Sequence, residues 1–146
     1  MYTMIGTASP ADHPAVVALL DASRLPRRDV TDALLAHFLV AKGGDELLGV
    51  IGLEPLGDVG LLRSLVVAAS HRGRGLGIEL TRALERHARD QDIAQLFLLT
   101  TTAERFFGKL GYETIPREDA PPPIQGTTEY RELCSSTSIC MVKTLD

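Results

Sequence analysis

The chain has 146 residues, 45% hydrophobic and 23% charged, which is ordinary for a soluble globular protein and does not favour disorder. This length can bury one sizeable core, so we expect residues 1–146 to form a single domain. The net charge of −4 and pI of about 5.5 imply no general attraction to nucleic acid. No segment approaches the length of a membrane-spanning helix and the N-terminus lacks a signal-peptide pattern, so we expect a cytoplasmic protein without a membrane partner.

The first part of the chain predicts helices between short strands. The elements expected in chain order are a strand over 2–8, helices over 11–23 and 30–37, and a hairpin of strands 38–41 and 46–53. Helical spacing of Val16, Leu19 and Leu20 supports the first helix, and Leu25-Pro26 ends it. The basic connection at residues 24–28 is expected to be either a solvated connector or a loop at a substrate mouth.

The second part predicts a central strand, a long helix and several shorter elements. In order, these are a turn at 55–58, a strand over 61–67, a helix over 76–89, a strand over 95–99, a helix over 103–110, a strand over 113–116, helical turns within 127–133 and a strand over 139–143. Gly111 is the expected left-handed stop after the 103–110 helix, and three prolines at 121–123 predict an extended loop. Helices should therefore cover a mixed, mostly antiparallel sheet.

A glycine-spaced turn separates the central strand from the long helix. It runs Arg72-Gly73-Arg74-Gly75-Leu76-Gly77 and is called the glycine turn below. The first turn of a helix has unpaired N–H groups and the positive end of the helix dipole, and glycines allow an anion close to that backbone. A plain turn or another phosphate site remains open from the glycines alone. Neither the Rossmann spacing nor a Gly-Lys-Ser/Thr P-loop is present.

Two motifs in the right order resemble the GNAT superfamily of N-acetyltransferases. The first is Leu65-Val66-Val67 followed by the glycine turn, and the second is Thr100-x-x-Ala103-x-x-x-Phe107-x-x-x-Gly111-Tyr112. The resemblance implies an α+β GNAT fold with a sheet of six to seven strands and about four helices. It also implies acetyl-CoA as co-substrate. The residues that it assigns to acetyl-CoA are Leu65, Val66, Val67, Arg72, Gly73, Arg74, Gly75, Leu76, Gly77, Thr100 and Phe107.

The second motif departs from the family pattern at positions that concern proton transfer. Many members carry a tyrosine that protonates the departing thiolate where this chain has Phe107, and phenylalanine cannot donate a proton. Water, Thr100, Thr101 or Tyr112 is left for that role, unless the thiolate leaves without direct help. Thr100 replaces the usual asparagine, and capping the following helix is an equal explanation for it. Glu54 is the carboxylate candidate for the general base, beside water-mediated deprotonation and a structural role.

Arg63 and Ser64 interrupt an otherwise aliphatic strand. A buried charge is costly without a partner, so Arg63 is expected to be paired or to face a cavity. Our hypothesis is that Arg63 and Ser64 bind the substrate, with Arg63 holding a carboxylate or another oxyanion. The alternative is a salt bridge from Arg63 to Asp58 or Glu54.

A narrower resemblance covers nearly the whole chain. The segments 62–67, 98–103 and 128–134 resemble the ArsN-type acetyltransferases associated with arsenic resistance, which implies an amino acid-like or organoarsenical acceptor. Cys134 and Cys140 could bind trivalent arsenic if they converge, although a buried free cysteine is the commoner case. No metal site is predicted, because the four histidines lack ligand spacing, namely His13, His37, His71 and His87.

The activity implied is transfer of acetyl from acetyl-CoA to a small amine by direct attack in a ternary complex. No cysteine or serine stands in a recognisable nucleophile setting, so no acyl-enzyme is expected. A non-catalytic acetyl-CoA or arsenical sensor and a protein amine acetyltransferase stay open as alternatives. Many members of the superfamily pair, so a homodimer is compatible with the resemblance, and the sequence leaves the oligomeric state open.

Overall fold

The structure is a computed structural model that describes residues 3–133 and 137–145, and its framework is a seven-stranded sheet. The strands are β1 (Thr3–Thr7), β2 (Phe38–Gly43), β3 (Glu46–Leu56), β4 (Val59–Val67), β5 (Gln95–Thr100), β6 (Glu113–Ile115) and β7 (Ile139–Thr144). Their order is β1-β2-β3-β4-β5-β7-β6. Every neighbouring pair is antiparallel except β4 and β5. The mixed, mostly antiparallel sheet of six to seven strands is confirmed.

Helices cover both faces of the sheet. Within the described residues they are α1 (His13–Ala22), α2 (Asp32–Leu35), α3 (Leu76–Asp90), α4 (Glu104–Lys109) and α5 (Pro122–Gln125), with a π-helical turn at Glu129–Leu133. The prediction of about four helices holds, with the short α5 as the helix that was not foreseen. None of the helices in the described ranges is long and apolar enough to cross a bilayer.

The core consists of layers on the two faces. On α3, Leu80, Leu84 and Ala88 are fully buried at helical spacing and pack with Phe107 of α4 against one face. The other face is covered over the first half of the sheet by Val16 and Leu20 of α1 and by Leu35 of α2. Over the second half, the same face is covered by Ile124 of α5. The sheet is therefore enclosed along most of its length.

Three local predictions need correction. Pro121–123 was expected to be an extended loop, but α5 begins at Pro122, because proline fits the first helical turn, where its missing N–H is not needed. The predicted turn at 55–58 is shorter, since Pro55 and Leu56 belong to β3. The helix predicted over 30–37 spans only Asp32–Leu35, since the Thr31 side chain caps it by accepting a hydrogen bond from Leu34 N at 3.2 Å.

Two irregularities of β4 shape the candidate site. Val50 of β3 faces Val66 and Gly52 faces Arg63, so β4 carries one extra residue between these pairs, at a bulge where Ser64 has a φ of 62°. The parallel pairing of β4 with β5 covers only Val59 to Leu61. Beyond Leu61 the two strands continue without pairing, so a wedge opens between them.

Candidate functional site

The glycine turn lies at the N-terminus of α3, next to the end of β4. Gly73 and Gly75 have φ angles of 79° and 81°, and Gly75 is the N-cap of α3. A side chain at either position would strain the backbone, while no atom lies within 4 Å of where a Cβ would stand. Arg72 Nε donates a hydrogen bond to the Val67 carbonyl oxygen at 3.0 Å. The glycine turn thus presents open backbone at the N-terminus of α3, with Arg72 and Arg74 beside it, and the anion site there stays a prediction.

A cavity of about 320 Å³ fills the wedge between β4 and β5, and we call it the cleft pocket. Its walls come from β4, β5, the segment that follows β5, the 24–28 loop and the π-helical turn. The lining residues are Arg24, Leu25, Pro26, Leu62, Arg63, Ser64, Leu65, Leu98, Leu99, Thr100, Thr101, Thr102, Ala103, Phe107, Glu129 and Ser138. The segments 62–67, 98–103 and 128–134, separate in sequence, therefore all contribute to one cavity.

Arg63 lies at the base of the cleft pocket with a fully buried side chain. Its Nη1 and Nη2 donate to the two carboxylate oxygens of Asp29 at 2.6 and 2.7 Å, and Nε donates to Ser64 Oγ at 3.1 Å. Nη1 also reaches Glu54 Oε1 at 3.4 Å, which confirms the predicted alternative of an Arg63–Glu54 salt bridge. The bidentate pair with Asp29, which sequence analysis did not select, occupies the face that a substrate carboxylate would need.

Glu129 approaches the same guanidinium from the π-helical turn. Its Oε1 lies 3.8 Å from Arg63 Nε, and its side chain is only 6% exposed. Burial raises the pKa of Glu129 to about 7, helped by the charges of Asp29 and Glu54 and opposed by that of Arg63. Burial also raises the pKa of Glu54, which Arg63 only partly offsets. Three carboxylates thus approach the single guanidinium of Arg63. They belong to Asp29, Glu54 and Glu129, and we call them the carboxylate cluster.

The remaining sequence candidates separate into those in the cleft pocket and one outside it. Phe107 lines the cavity and stacks edge-on against Phe106 and Tyr112. Thr100 also lines it, but its Oγ1 accepts a hydrogen bond from Ala103 N at 2.9 Å; this bond holds the turn before α4 and does not cap the helix, whose N-cap is Ala103. Tyr112 is buried away from the cavity, and its hydroxyl donates to Glu85 Oε2 at 2.9 Å. The geometry therefore does not support Tyr112 as a catalytic group.

Leu65, Val66 and Val67 occupy the end of β4 between the bulge and the glycine turn. Val66 and Val67 pair with Val50 and Gly49 of β3, so their β3 side is closed by the sheet. On the other side, the ladder with β5 has ended at Leu61, and the β4 edge is exposed to the wedge. A chain-like ligand that runs from the glycine turn to the cleft pocket would pass along this edge.

Sequence analysis pointed to part of the pocket wall but missed Glu129. The 24–28 loop was expected either at a substrate mouth or as a solvated connector, and it lines the cleft pocket, but Glu129 was not chosen among the acidic residues of the tail. Cys134 lies outside the described residues. Cys140 is buried on β7, and burial raises the pKa of its thiol, as expected for a core cysteine.

Comparison with known proteins decides the family. The profile of the acetyltransferase (GNAT) family matches residues 10–112. The chain belongs to the GNAT family. Among curated relatives of this GNAT chain, N-acetyltransferase 8B from Mus musculus is 33% identical over 87 residues, covering 53% of the chain and 38% of the relative. Amino-acid acetyltransferase from Ralstonia nicotianae (strain ATCC BAA-1114 / GMI1000) is 32% identical over 104 residues, covering 69% of the chain and 23% of the relative.

Solved structures share the fold of this GNAT chain. N-acetylglutamate synthase from Neisseria gonorrhoeae, complexed with coenzyme A and N-acetyl-glutamate, superposes with a TM-score of 0.86 at 21% identity over 100% of the chain and 36% of the synthase. Rv2747 from Mycobacterium tuberculosis, solved in complex with CoA, gives 0.83 at 22% identity over 98% of the chain and 99% of that protein. The chain thus spans well under half the length of the synthase and of both curated relatives. These structural likenesses establish the GNAT fold.

Proposed function

We propose that this GNAT-family chain transfers the acetyl group of acetyl-CoA to the amine of a small, amino acid-like molecule. The observation that carries the proposal is the unpaired wedge between β4 and β5, which holds the cleft pocket and lies beside the glycine turn that follows β4. The glycine turn offers backbone N–H groups and arginines for phosphates, and the cleft pocket offers the Glu129 carboxylate for an amine. Relatives named amino-acid acetyltransferase support the acceptor class.

The residues at the glycine turn fit the pyrophosphate of acetyl-CoA. The open space over Gly73 and Gly75 admits a phosphate to the backbone, and Arg72 and Arg74 supply positive charge. Leu65, Val66 and Val67 would hold the pantetheine chain along the unpaired edge of β4, with Thr100 and Phe107 on the opposite side of the wedge. Acetyl-CoA supplies the activated acyl group, and this chain supplies orientation and exclusion of water.

The narrower resemblance to ArsN-type acetyltransferases extends the proposal to organoarsenical amino acids as acceptors. Support comes from the convergence of its three segments on the cleft pocket, through Leu62 to Leu65, Leu98 to Ala103 and Glu129. A reaction that draws on acetyl-CoA also suits the cytoplasmic location expected from the sequence. Amine specificity is tested by thiol release from acetyl-CoA with amino acids, organoarsenical amino acids and simple amines.

Thermal unfolding with and without acetyl-CoA tests the coenzyme site. At about 100 times Kd the ligand should add about 2.7 kcal/mol to the free energy of unfolding, which raises Tm by several degrees. Gly75→Glu should abolish most of this rise, because it places a strained side chain and a negative charge where phosphate would bind.

Gly57→Glu is the matched control for this experiment. Gly57 has the same φ of 81° and the same open surroundings, but it lies in the β3–β4 turn, outside the cleft pocket. Both variants should lose a similar amount of basal stability, and only Gly75→Glu should lose the response to acetyl-CoA. No response of the wild type at millimolar acetyl-CoA would contradict the proposal and favour a different ligand or a sensor role.

A further inference from the structure

Glu129 is a buried carboxylate with little to compensate its charge. Arg63 directs its donors to Asp29, Ser64 and Glu54, and the 3.8 Å separation from Glu129 is too long for a hydrogen bond. Within residues 3–133 and 137–145, no donor makes a hydrogen bond to the Glu129 carboxylate. A charge buried in this way is costly unless a further donor approaches it.

Among the described residues no such donor is in place, and a ligand in the cleft pocket, which Glu129 lines, can supply it. The elements packed around Glu129 bring Arg63 from β4, Asp29 from the segment before α2 and Glu54 from β3. With all four groups ionised, the carboxylate cluster outweighs the guanidinium, so the surroundings of Glu129, the member that lines the cavity, carry a net negative charge. A cationic group such as an ammonium would be attracted there, and a second carboxylate would be repelled.

Arg24 gives the cleft pocket a positive side at its mouth. Arg27 Nε contacts Asp21 at 2.6 Å and Arg28 contacts Glu132 at 3.6 Å, so these two arginines of the 24–28 loop are engaged elsewhere. Arg24 lines the cavity and has no ion pair among the described residues. Its φ of 58° is unusual for a residue with a side chain, and such strain persists where the surrounding structure or a function maintains it.

We infer that the cleft pocket binds an α-amino acid with its ammonium on Glu129 and its carboxylate on Arg24, and that Glu129 accepts the ammonium proton. The inference rests on the proposed function and deepens it. It also replaces Arg63 as the carboxylate-binding residue, because Asp29 already occupies that guanidinium. Arg63 instead positions the carboxylate cluster.

The substrate nitrogen loses two protons in this step. Glu129 takes one proton from the ammonium, and the neutral amine attacks the thioester carbonyl carbon. The C–N bond forms, the C–S bond breaks, and the nitrogen gives its second proton to the departing thiolate, directly or through water. Glu129 then releases its proton to solvent. A pKa near 7 suits this role, since a fair fraction of Glu129 is ionised at neutral pH and can accept a proton.

Glu129→Gln tests proton acceptance. The assay follows thiol release from acetyl-CoA with the protein amino acids, each beside the amine formed by loss of its α-carboxyl group. We expect kcat/KM of Glu129→Gln to fall by about 100-fold or more, and the rise of wild-type kcat/KM through about pH 7 to disappear. Glu132→Gln is the matched control, because Glu132 lies on the same turn but is exposed.

Arg24→Ala tests carboxylate recognition. It should raise KM for amino acids by about tenfold or more while KM for the decarboxylated amines stays unchanged, as expected for loss of a charged hydrogen bond. Arg27→Ala, in the same loop but engaged with Asp21, should change neither. Each variant must keep the Tm response to acetyl-CoA, which shows that folding and the coenzyme site are intact.

Three results would overturn the inference while leaving the coenzyme site in place. They are acetylation of simple amines but of no amino acid, an unchanged pH profile in Glu129→Gln, and an equal effect of Arg24→Ala on amino acids and decarboxylated amines. A wild type with no response to acetyl-CoA would instead remove the proposed function on which the inference rests. The two failures are therefore distinguishable.

Discussion

His37 and His87 form a half-buried pair in which one ring nitrogen of each is unsatisfied. Their ring centroids are 6.0 Å apart, and His37 Nδ1 and His87 Nε2 are buried without a hydrogen-bond partner among the described residues. Burial lowers the pKa of His87 below its usual 6.5, and the neighbouring His37 lowers it further, against a smaller opposite effect of Asp90. The folded protein therefore favours a neutral His87.

The pair predicts acid sensitivity. Because the pKa of His87 is lower in the folded than in the unfolded state, the contribution of His87 to stability is complete above about pH 6.5 and is lost as the pH falls through the folded pKa. The raised pKa of Glu129 acts in the opposite sense in both proteins, so the test is the difference between them: as the pH falls, the urea midpoint of the wild type should drop relative to that of His87→Gln. His71→Gln, at a histidine that hydrogen-bonds Ser70 outside the pair, should behave as the wild type. Parallel pH curves for wild type and His87→Gln would contradict this origin.

At single residues, local features could be predicted from the sequence, whereas features that depend on distant residues could not. The glycine turn could be located because its glycines act through local backbone geometry, and the spacing of glycines along the sequence is enough to indicate that geometry. Glu129 could not be chosen, although it belongs to a segment whose resemblance was noted. Its burial and raised pKa depend on Arg63, Asp29 and Glu54, which are distant in sequence and meet only in the folded sheet. The His37–His87 pair was missed for the same reason.

At the scale of elements, Glu85 joins α3 to the second half of the sheet. It is buried on α3 and accepts hydrogen bonds from Tyr112 Oη at 2.9 Å, Lys143 Nζ of β7 at 3.0 Å and Arg82 Nη1 at 3.1 Å. Burial works against ionisation, but these donors hold the pKa of Glu85 below its usual value. The segment after α4, β7 and α3 are thus linked through one carboxylate.

Tyr112→Phe separates this structural role from the catalytic role considered for Tyr112. Loss of a buried hydrogen bond to a charged group should reduce the free energy of unfolding by about 1.5–3 kcal/mol. The kcat should stay unchanged, because the hydroxyl points to Glu85 and lies outside the cleft pocket. Denaturant unfolding and thiol-release kinetics measure the two effects. A large fall in kcat with stability intact would restore Tyr112 as the proton donor.

Among the elements, helices and strands with a regular apolar period were predicted close to their observed bounds. The bulge in β4 was not, because a run of aliphatic residues on both sides of Arg63 and Ser64 does not reveal an inserted residue. In the structure Leu62 and Leu65, three positions apart, both pack towards the core beneath α3, which strict alternation would forbid. The bulge thus redirects β4 at the cleft pocket.

At the scale of the whole molecule, the two parts of the sheet are joined by the pairing of only a few residues. Strands β1 to β4 and strands β5 to β7 are joined by the parallel pairing at Val59 to Leu61, and the wedge opens beyond it. A long ligand in the wedge would contact both parts and an acceptor in the cleft pocket at once. The fold therefore favours one ternary complex over two successive half-reactions.

Direct transfer in such a complex predicts sequential kinetics. The described residues near the wedge offer no activated nucleophile: Cys140 is buried with a raised thiol pKa, Ser64 Oγ accepts a hydrogen bond from Arg63 Nε, and Thr100 Oγ1 accepts one from the backbone before α4. Double-reciprocal plots with varied acetyl-CoA at several fixed concentrations of an accepted amine should therefore intersect. Intact-mass measurement after incubation with acetyl-CoA alone should show unmodified protein. Parallel plots together with an acetylated protein would instead require a covalent intermediate, and its position would identify the nucleophile.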